Sequence, residues 1–399
     1  MVSVSEATQI ILSNLYQPAA TTCPIADAVG KVIAEKVHAD RDFPPFDRVT
    51  MDGIGVSYYI LQKGQREFVV EGIQAAGTPQ KKLSDPSKCL EVMTGAITPE
   101  GIDVVIPYEE IVIDNGKAKL LINDFEPLQN IHKRGTDVNQ GDILIEPGKI
   151  LSPAEIAVLA SVGKPDVKIK TLPRISIIST GDELVEVNEV PALHQIRRSN
   201  SYALQAALRE MGIHAVLHHV VDEENAIEDA LRKILSTSDA LILSGGVSKG
   251  KFDYVPKALE KSGVKKLFHR VTQRPGKPFW FGVTNEGKSV FALPGNPVST
   301  FMCFYKYIKP WLLRSLDLTP ANPTAILASD FSFQPALTYF LQVKLEIENS
   351  KLIAYPKVGG GSGDFANLNE VDGFLELPAD QNEFTSGEIF PYVGFRGLR

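Results

Sequence analysis

Residues 174 to 313 switch repeatedly between short β-rich apolar runs and longer stretches with the spacing of amphipathic helices. Strands are predicted near residues 174–179, 214–221, 240–243, 266–271, 279–283 and 290–293, and helices near residues 201–211, 223–235, 254–261 and 298–313. This alternation is typical of a doubly wound α/β sheet. Such sheets bind ligands at the carboxyl ends of their strands, so the loops that follow the strands are the first candidates for function.

The run from Ala240 to Asp253 places a glycine turn directly after a buried strand. Ala240–Leu243 has the continuous apolar character of a parallel strand, and residues 244–246 read Ser-Gly-Gly. Glycine lets the backbone turn sharply and approach a ligand without interference from a Cβ atom, and the N–H groups of such a turn bind anions. An ordinary strand-to-helix connection is the alternative interpretation.

The same run fits most of a nucleotide-binding P-loop but departs from it at the last position. Gly245, Gly250 and Lys251 match the G-x-x-x-x-G-K spacing. Phe252 then stands where a P-loop has a Ser or Thr hydroxyl for Mg²⁺. The mismatch disfavours an ATPase or GTPase of this class.

The segments on either side of the α/β region have other patterns. Ser3 with Glu6, and Ser152 with Glu155, each match a helix capping box. Short β-rich runs separated by Gly, Pro and Asn turns recur before residue 130 and after residue 338. We therefore predict a multidomain chain of α/β and β domains: an N-terminal domain of residues 1–40 and 138–172, an inserted β-rich domain of residues 41–137, the α/β domain of residues 173–317, and a small barrel-like β domain of residues 318–399.

Charge and cysteine usage narrow the class of protein. The formal net charge of −7 argues against a general nucleic-acid binder, which would carry a basic surface. The three cysteines lie far apart, outside any C-x-x-C or Cys–His spacing, so they favour neither a zinc site nor a disulfide framework. No signal peptide and no run of about 18 apolar residues is visible. We expect a cytoplasmic protein that does not span a membrane.

Carboxylates follow several of the predicted strands. Glu183 comes after the first strand and its Ser179-Thr180-Gly181 run, Asp222 follows the next strand, and Asp253 closes the glycine turn. One or two carboxylates, together with substrate oxygens, are what Mg²⁺ requires, so these three carboxylates are candidate metal ligands. The alternative for Asp222 is a purely structural role as the N-cap of the helix near 223–235.

Basic residues gather at the same predicted edge of the sheet. Clustered lysine and arginine side chains neutralise phosphate or another oxyanion. Taken singly, each of these residues also fits a solvated surface charge. The candidates are Lys249, Lys251, Arg270, Arg274 and Lys277.

Motifs along almost the whole chain resemble those of the molybdopterin molybdenumtransferase family, to which the gephyrin E domain is related. The motifs are Met51–Gly53, Met93–Ala96, Asn130–Asp137, Ser179–Leu184, Ser244–Ser248 with Asp253, Pro275–Pro278, Leu293–Ser299 and Gly361–Gly363. The resemblance implies an elongated homodimer of four-domain chains. It also implies an active site shared between subunits, in which the α/β domain faces the partner's β-rich second domain.

The resemblance further implies roles for individual residues. The catalytic positions fall on Asp52, Thr94, Asp137, Glu183, Asp222 and Asp253, of which Glu183, Asp222 and Asp253 are the metal ligands. The substrate-binding positions fall on Ser179, Thr180, Gly181, Ser244, Gly245, Gly246, Ser248, Arg270, Arg274, Lys277, Pro294, Pro297 and Ser362.

Five positions depart from the family pattern. The family more often has lysine at Arg270 and Arg274, a change that keeps the charge but turns a point charge into a planar fork. It has arginine at His132, glutamate at Thr136 and an acidic residue at Arg198. His132 carries a positive charge only part of the time near neutral pH.

The implied activity is the insertion of molybdate into adenylylated molybdopterin with release of AMP, assisted by Mg²⁺. The molybdopterin adenylyltransferase is a possible partner protein. Clustered cations suit both an oxyanion and a pyrophosphate substrate, and phosphoryl chemistry depends on positioning and charge stabilisation. Charge alone does not separate molybdate from tungstate.

Two alternatives remain open. An adenylyltransferase or nucleotide hydrolase could use the same α/β domain, although the long N-terminal half and the C-terminal β domain argue against it. A gephyrin-like scaffold or binding protein would need an extra partner groove or an appended domain, and neither a linker nor a fused module is visible in the sequence. Fold alone does not decide between these functions.

Overall fold

The computed structural model describes residues 1–247 and 254–396, and the chain forms two compact units. The larger unit comprises Met1–Thr21 and Lys170–Arg399, and the smaller unit comprises Thr22–Ile169. The predicted α/β and C-terminal regions both lie in the larger unit. The finer domain boundaries given above stay predictions.

The helices of the described residues are short. The α-helices are α1 (Val4–Leu12), α2 (Tyr58–Gln62), α3 (Pro153–Ser161), α4 (Ser199–Glu210), α5 (Glu224–Thr237), α6 (Val255–Lys261), α7 (Pro297–Cys303) and α8 (Lys309–Ser315). A π-helical segment, Phe304–Ile308, joins α7 to α8, and 3₁₀ turns occur at Ile25–Asp27, Tyr108–Glu110 and Phe365–Asn369. In these ranges, no helix has both the length and the apolar character needed to cross a membrane.

The strands of the first half of the chain are β1 (Ala20–Pro24), β2 (Val37–His38), β3 (Arg48–Val49), β4 (Gly53–Val56), β5 (Glu67–Gln74), β6 (Cys89–Val92), β7 (Val104–Pro107), β8 (Ile111–Asp114), β9 (Lys117–Leu120), β10 (Ile131–His132), β11 (Ile143–Ile145) and β12 (Asp166–Lys170). Those of the α/β region are β13 (Ile175–Thr180), β14 (Leu184–Val185), β15 (Ile196–Arg197), β16 (Val216–Val220), β17 (Ala240–Ser244), β18 (Val264–His269), β19 (Gln273–Arg274), β20 (Trp280–Thr284) and β21 (Ser289–Leu293). The last are β22 (Thr324–Leu327), β23 (Phe331–Ser332), β24 (Thr338–Glu348), β25 (Lys351–Pro356), β26 (Gly373–Leu377), β27 (Glu383–Phe384) and β28 (Ile389–Gly394).

The predicted α/β sheet is confirmed, with six strands in the order β16-β13-β17-β21-β20-β18. The first four strands are mutually parallel, and β20 and β18 are antiparallel to their neighbours. From β13 the chain moves to one side to form β16 and then returns to the other side to form β17. The strand order therefore reverses between β13 and β17, which is the position where sheets of this kind open a ligand crevice at their carboxyl edge.

Side-chain alternation explains why β17 reads as a continuous apolar run. Ile242 belongs to the apolar core that includes α4 and α7, whereas Leu241 and Leu243 belong to the core on the other face, which includes α5 and α6. Because successive strand residues point to opposite faces and both faces carry helices, every position of the strand is buried.

Both predicted capping boxes are present. The Ser3 hydroxyl accepts from the Glu6 N–H at 3.1 Å, and the Glu6 carboxylate accepts from the Ser3 N–H at 2.7 Å. In α3 the Glu155 carboxylate accepts from the Ser152 N–H at 2.9 Å. Capping needs only residues three positions apart, so it is read directly from the sequence.

The predicted N-cap role of Asp222 is wrong. The N-cap residue of α5 is Glu223, and no side-chain oxygen caps this helix. The backbone N–H of Asp222 donates to the Asp182 carboxylate at 3.2 Å, so the residue belongs to the loop at the end of β16. Asp222 is therefore not the N-cap residue of α5.

The single long helix predicted at 298–313 is also wrong in detail. A π-helical segment, Phe304–Ile308, interrupts it. Pro310 has no N–H to donate and its ring crowds the carbonyl of the residue four positions earlier, so a regular α-helix cannot continue through this point. The wider turn accommodates the proline.

The C-terminal region is a closed barrel, as predicted. β24, β25, β22, β28 and β26 pair in that order, and pairing of β26 with β24 closes the ring. Its interior includes Leu341, Val343, Leu375 and Phe390. β22 was not predicted, because its Thr-Ala-Ile-Leu run is too short to stand out from the sequence.

The smaller unit is rich in strands, as predicted. Its largest sheet has the order β7-β4-β6-β5-β9-β8, and α2 contributes Leu61 to the apolar core of this sheet. The Pro44-Pro45 segment forms no helix, in agreement with its sequence.

Hydrogen bonds between Asp239 and Arg174 connect the start of β17 to the start of β13. Its carboxylate accepts from the Arg174 backbone N–H at 2.8 Å, from Nη2 at 2.8 Å and from Nε at 3.1 Å. The hydrogen bonds from the Arg174 guanidinium lower the pKa of Asp239. Because the folded-state pKa is the lower one, the stabilisation is present above the unfolded-state pKa of about 3.9 and is lost as the pH falls below it.

Asp239→Asn is therefore expected to lower the free energy of unfolding by about 1 kcal/mol at neutral pH, a modest value because Arg174 is 69% exposed and solvent screens the pair. Urea denaturation at about pH 7 and about pH 3 measures the effect. The difference between variant and wild type should shrink at the lower pH. Equal differences at both values would show that the ion pair is not its source.

Candidate active site

A crevice of about 610 Å³ lies at the carboxyl ends of β13, β17 and β21 in the larger unit. It occupies the position where the strand order reverses. The predicted site residues that line it are Ser179, Thr180, Glu183, Asp222, Ser244, Gly245, Gly246, Arg274, Lys277, Pro294, Pro297 and Ser362. Residues from six separate segments of the chain thus meet in one place.

Other predicted residues do not line this crevice within the described ranges. Gly181 and Arg270 are absent from its lining. Arg270 has φ +77°, and its backbone N–H donates to the Phe279 carbonyl at 2.8 Å. Ser248 and Asp253, as well as Lys249 and Lys251, lie outside the described residues.

Asp52, Thr94 and Asp137 belong to the smaller unit. The Asp52 carboxylate accepts from the Thr94 N–H at 2.6 Å, and this bond lowers the pKa of Asp52. Asp137 lies 3.0 Å from Nε2 of His132, whose Nδ1 is 3.4 Å from an Arg48 nitrogen. His132 therefore connects a cation to a carboxylate at the position where the family more often has arginine.

The glycine turn after β17 requires glycine at both positions. Gly245 and Gly246 have φ values of +103° and +67°, which side-chain-bearing residues rarely adopt. A Cβ atom on Gly245 would lie 2.8 Å from the Thr180 carbonyl oxygen, and one on Gly246 would lie 2.5 Å from Cγ2 of Val255. The turn thus packs directly against the end of β13 and the start of α6.

The Thr180 hydroxyl lies beneath this turn. Thr180 is 4% exposed and lines the crevice, and within the described part of the chain its Oγ1 has no hydrogen-bond partner. Buried polar groups nearly always have a partner, and a ligand atom that reached Oγ1 beneath the turn would supply one.

Asn200 also lines the crevice, although it was not among the predicted site residues. Its Nδ2 donates to the Ser244 hydroxyl at 2.9 Å and to the Gly295 carbonyl at 2.7 Å. It therefore joins the glycine turn to the loop that follows β21. The available signal was a polar Ser199-Asn200 pair at the start of a helix that follows a short strand.

The C-terminal glycine run reaches the crevice through Ser362. The Asn296 side-chain amide donates to the Ser362 hydroxyl at 2.7 Å, and the Val298 N–H donates to the Ser362 carbonyl at 3.1 Å. Both bonds hold the Gly361–Gly363 segment against the start of α7.

Arg274 and Lys277 contribute positive charge to the crevice. Both are exposed, and neither forms an ion pair with a described residue. The Arg274 guanidinium carbon lies 5.8 Å from the centroid of the Phe333 ring, which supports the side chain on one side. The two cations are therefore free of described carboxylates that would compete with an anionic ligand.

Arg198 places a further cation in the crevice wall. It is 7% exposed, forms an ion pair with Glu186, and its Nε has no partner among the described residues. The buried charge is therefore neutralised from within the chain. The family's acidic residue at this position could not pair with Glu186 in the same way.

The carboxylates of the crevice are Glu183 and Asp222. Over the two described ranges, no group of three or more His, Cys, Asp or Glu side chains has an arrangement able to hold a metal. Asp253, the third predicted ligand, lies outside those ranges. Two carboxylates still suit Mg²⁺, since this ion takes its remaining ligands from water and substrate oxygens.

A larger groove of about 970 Å³ runs along α4 toward the barrel. Its two cations, Lys344 and Arg396, both lie beside Asp372, at 3.1 Å and 3.8 Å, and its other charged residues, Glu210 and Glu346, are acidic. The smaller crevice contains the glycine turn and two cations, Arg274 and Lys277, without an ion-pair partner among the described residues. It is therefore the better candidate for binding an anionic substrate.

Three family models together match most of the chain. Residues 2–163 match the MoeA N-terminal region (domain I and II), residues 176–314 match the probable molybdopterin binding domain, and residues 324–395 match the MoeA C-terminal region (domain IV).

Relatives and solved structures agree with these matches. The molybdopterin molybdenumtransferase of Synechocystis is 42% identical over 399 residues, covering 99% of this chain and 100% of its own. That of Staphylococcus epidermidis is 29% identical over 98% of this chain and 95% of its own. The crystal structure of the molybdopterin biosynthesis MoeA protein from Pyrococcus horikosii superposes with a TM-score of 0.87 at 29% identity, covering 100% of both chains.

These similarities extend over the whole chain and include every region in which the motifs were found. The resemblance inferred from the motifs is confirmed: the chain belongs to the molybdopterin molybdenumtransferase family.

Proposed function

We propose that this chain is a molybdenum insertase, which takes adenylylated molybdopterin and molybdate as substrates and releases AMP. The observation that carries the proposal is the pair of cations without a described ion-pair partner, Arg274 and Lys277, in one crevice with the glycine turn. A pyrophosphate link and an oxyanion both need such charge. The name of the Synechocystis relative supports the same reaction.

The chemistry requires positioning more than a strong nucleophile. Water adds across the anhydride that joins AMP to molybdopterin phosphate, and one P–O bond breaks as AMP leaves. Two dithiolene sulfurs bind molybdenum while one oxide departs as water, carrying the two dithiol protons. Arg274 and Lys277 stabilise the negative charge of the phosphates and molybdate, and the N–H groups of the glycine turn contribute in the same way.

Mg²⁺ fits the oxygen ligands of the crevice, and we assign its binding to Glu183 and Asp222 with Asp253. When bound it would neutralise phosphate charge. The chain's own residues orient the substrate: the Thr180 hydroxyl donates to a ligand oxygen, and the Ser362 loop and Pro294–Pro297 segment shape the wall of the crevice. Ser179, Gly181, Ser248 and Arg270 stay as proposed substrate-binding residues on the strength of the family motifs.

Asp52, Thr94 and Asp137 complete the proposed catalytic set from a second subunit. We propose a cytoplasmic homodimer in which the smaller unit of one chain serves the crevice of the other. The support is the family membership of the chain and the division of its motif residues between two units. Handover of the substrate from a molybdopterin adenylyltransferase is part of the same proposal.

The test is release of AMP from purified protein loaded with adenylylated molybdopterin. We expect AMP to appear only after molybdate and Mg²⁺ are both added, with mass spectrometry identifying the bound substrate beforehand. Asp253→Asn should bind the substrate yet fail to turn it over. AMP release that is indifferent to molybdate would instead favour a nucleotide hydrolase.

A further inference from the structure

Gln273 and Arg274 lie next to each other in β19 but point in opposite directions. Gln273 is fully buried, whereas Arg274 is exposed at the crevice. The strand is held by pairing with β24, where Arg274 lies opposite Tyr339. Because side chains of a strand alternate, whatever fixes the buried residue also fixes the direction of its exposed neighbour.

The Gln273 side chain is engaged at both ends. Its Nε2 donates to the Gly276 carbonyl at 3.1 Å and lies 3.5 Å from Sγ of Cys303, and its Oε1 accepts from the Tyr307 hydroxyl. An amide in the core is costly unless its groups are bonded in this way. The bond to Gly276 closes the loop that carries Arg274 and Lys277.

Tyr307 comes from the π-helical segment between α7 and α8. It is 1% exposed, and its ring centroid lies 5.1 Å from that of Phe279. Burial raises the pKa of Tyr307 well above its usual value, so the hydroxyl keeps its proton and acts as a donor. Single π turns are frequent near functional sites.

The loop that carries Arg274 and Lys277 packs closely against Gln273 and Cys303. A Cβ atom on Gly276 would lie 2.7 Å from Sγ of Cys303 and 2.7 Å from Nε2 of Gln273, and Gly276 has φ +89°. The loop backbone is further tied by the Val271 N–H, which donates to the Lys277 carbonyl at 3.0 Å. The cationic loop thus rests directly on the Gln273–Tyr307 pair.

We propose that Gln273 and Tyr307 are positioning residues, which hold the Arg274–Lys277 loop in the geometry that binds the anionic substrate. The inference rests on the proposed function of that loop. Both residues are buried, 0% and 1% exposed, so we expect them to act on the substrate through the loop. Gln273 and Tyr307 order the loop before the substrate binds. Without them, the entropy cost of ordering the loop would weaken binding.

Tyr307→Phe tests the proposal with the smallest change in shape. Titration calorimetry of the full-length protein with sodium molybdate, and separately with inorganic pyrophosphate, should show an affinity loss of roughly five- to tenfold for each anion, comparable to losing one buried hydrogen bond. Tyr305→Phe is the matched control. Tyr305 is buried in the same segment, makes no hydrogen bond to Gln273, and should leave both affinities unchanged when it is replaced.

A merely structural role would lower stability and leave the affinity of the folded protein unchanged, so unchanged affinities in Tyr307→Phe would overturn the proposal. Gln273→Met is the second variant. If both residues act through one contact, the double variant should lose no more affinity than Gln273→Met alone. Additive losses would also contradict the proposal.

Lys277→Ala separates this inference from the proposed function. If Lys277→Ala weakens anion binding and Tyr307→Phe does not, the loop binds anions without the help of the buried pair. If Lys277→Ala changes nothing, the assignment of the loop to the substrate fails and the inference fails with it.

Discussion

Thr180→Val is expected to slow molybdate-dependent AMP release by roughly 10- to 100-fold, the cost of losing one hydrogen bond to a charged ligand or developing charge. The same substitution should not lower the free energy of unfolding. The Thr180 hydroxyl is buried without a partner in the described structure, and a methyl group of equal size has no unmet bonding need. Thr180→Val should therefore lower the activity without lowering the stability of the fold.

Thr98 offers a matched control for this experiment. It lies in the smaller unit, is 6% exposed, and its Oγ1 also has no partner among the described residues. Thr98→Val should change neither AMP release nor the denaturation midpoint. If Thr180→Val kept full activity, the unpaired hydroxyl would be a local packing feature without a ligand.

Mixing Asp52→Ala with Asp253→Ala protein is expected to restore activity that neither variant has alone. If each site combines the smaller unit of one chain with the crevice of the other, a mixed dimer has one site lacking both carboxylates and one site keeping both. Random exchange makes about half of the dimers mixed, so AMP release should return to roughly a quarter of the wild-type rate.

The same mixture stays inactive if both residues serve one chain's own site, because every site then lacks one carboxylate. Subunit exchange must first be verified, for example with tagged chains of different mass. Absence of activity after verified exchange would refute a shared site, even if the dimer itself were confirmed.

The local features of this protein were predictable from sequence because their causes are local. The Ser3 and Ser152 capping boxes depend on residues three positions apart, and the alternation of β13, α4, β16 and α5 depends on periodicity within each element. The glycine turn at 244–246 was visible for the same reason. The family motifs added which loops to examine.

The site needed the tertiary structure, because its defining contacts join residues far apart in the chain. Asn200 was overlooked because its contacts are with Ser244 and Gly295, and the fully buried Gln273 was overlooked because its contact is with Tyr307. Asp222 illustrates the opposite error, in which a plausible local role as an N-cap proved wrong.

Sequence by itself determined the class of the central sheet, the barrel-like C-terminal region and the glycine turn that lines the crevice, since hydrophobic period and turn residues act over a few positions. Only the tertiary structure decided that Thr180 lacks a partner among the described residues, that Arg270 lies apart from the crevice lining while Arg274 and Lys277 belong to it, and that a π-helical segment places Tyr307 against Gln273. Those outcomes depend on which strands become neighbours and on how side chains pack between them. Packing of this kind is a property of the whole fold, and no short segment specifies it.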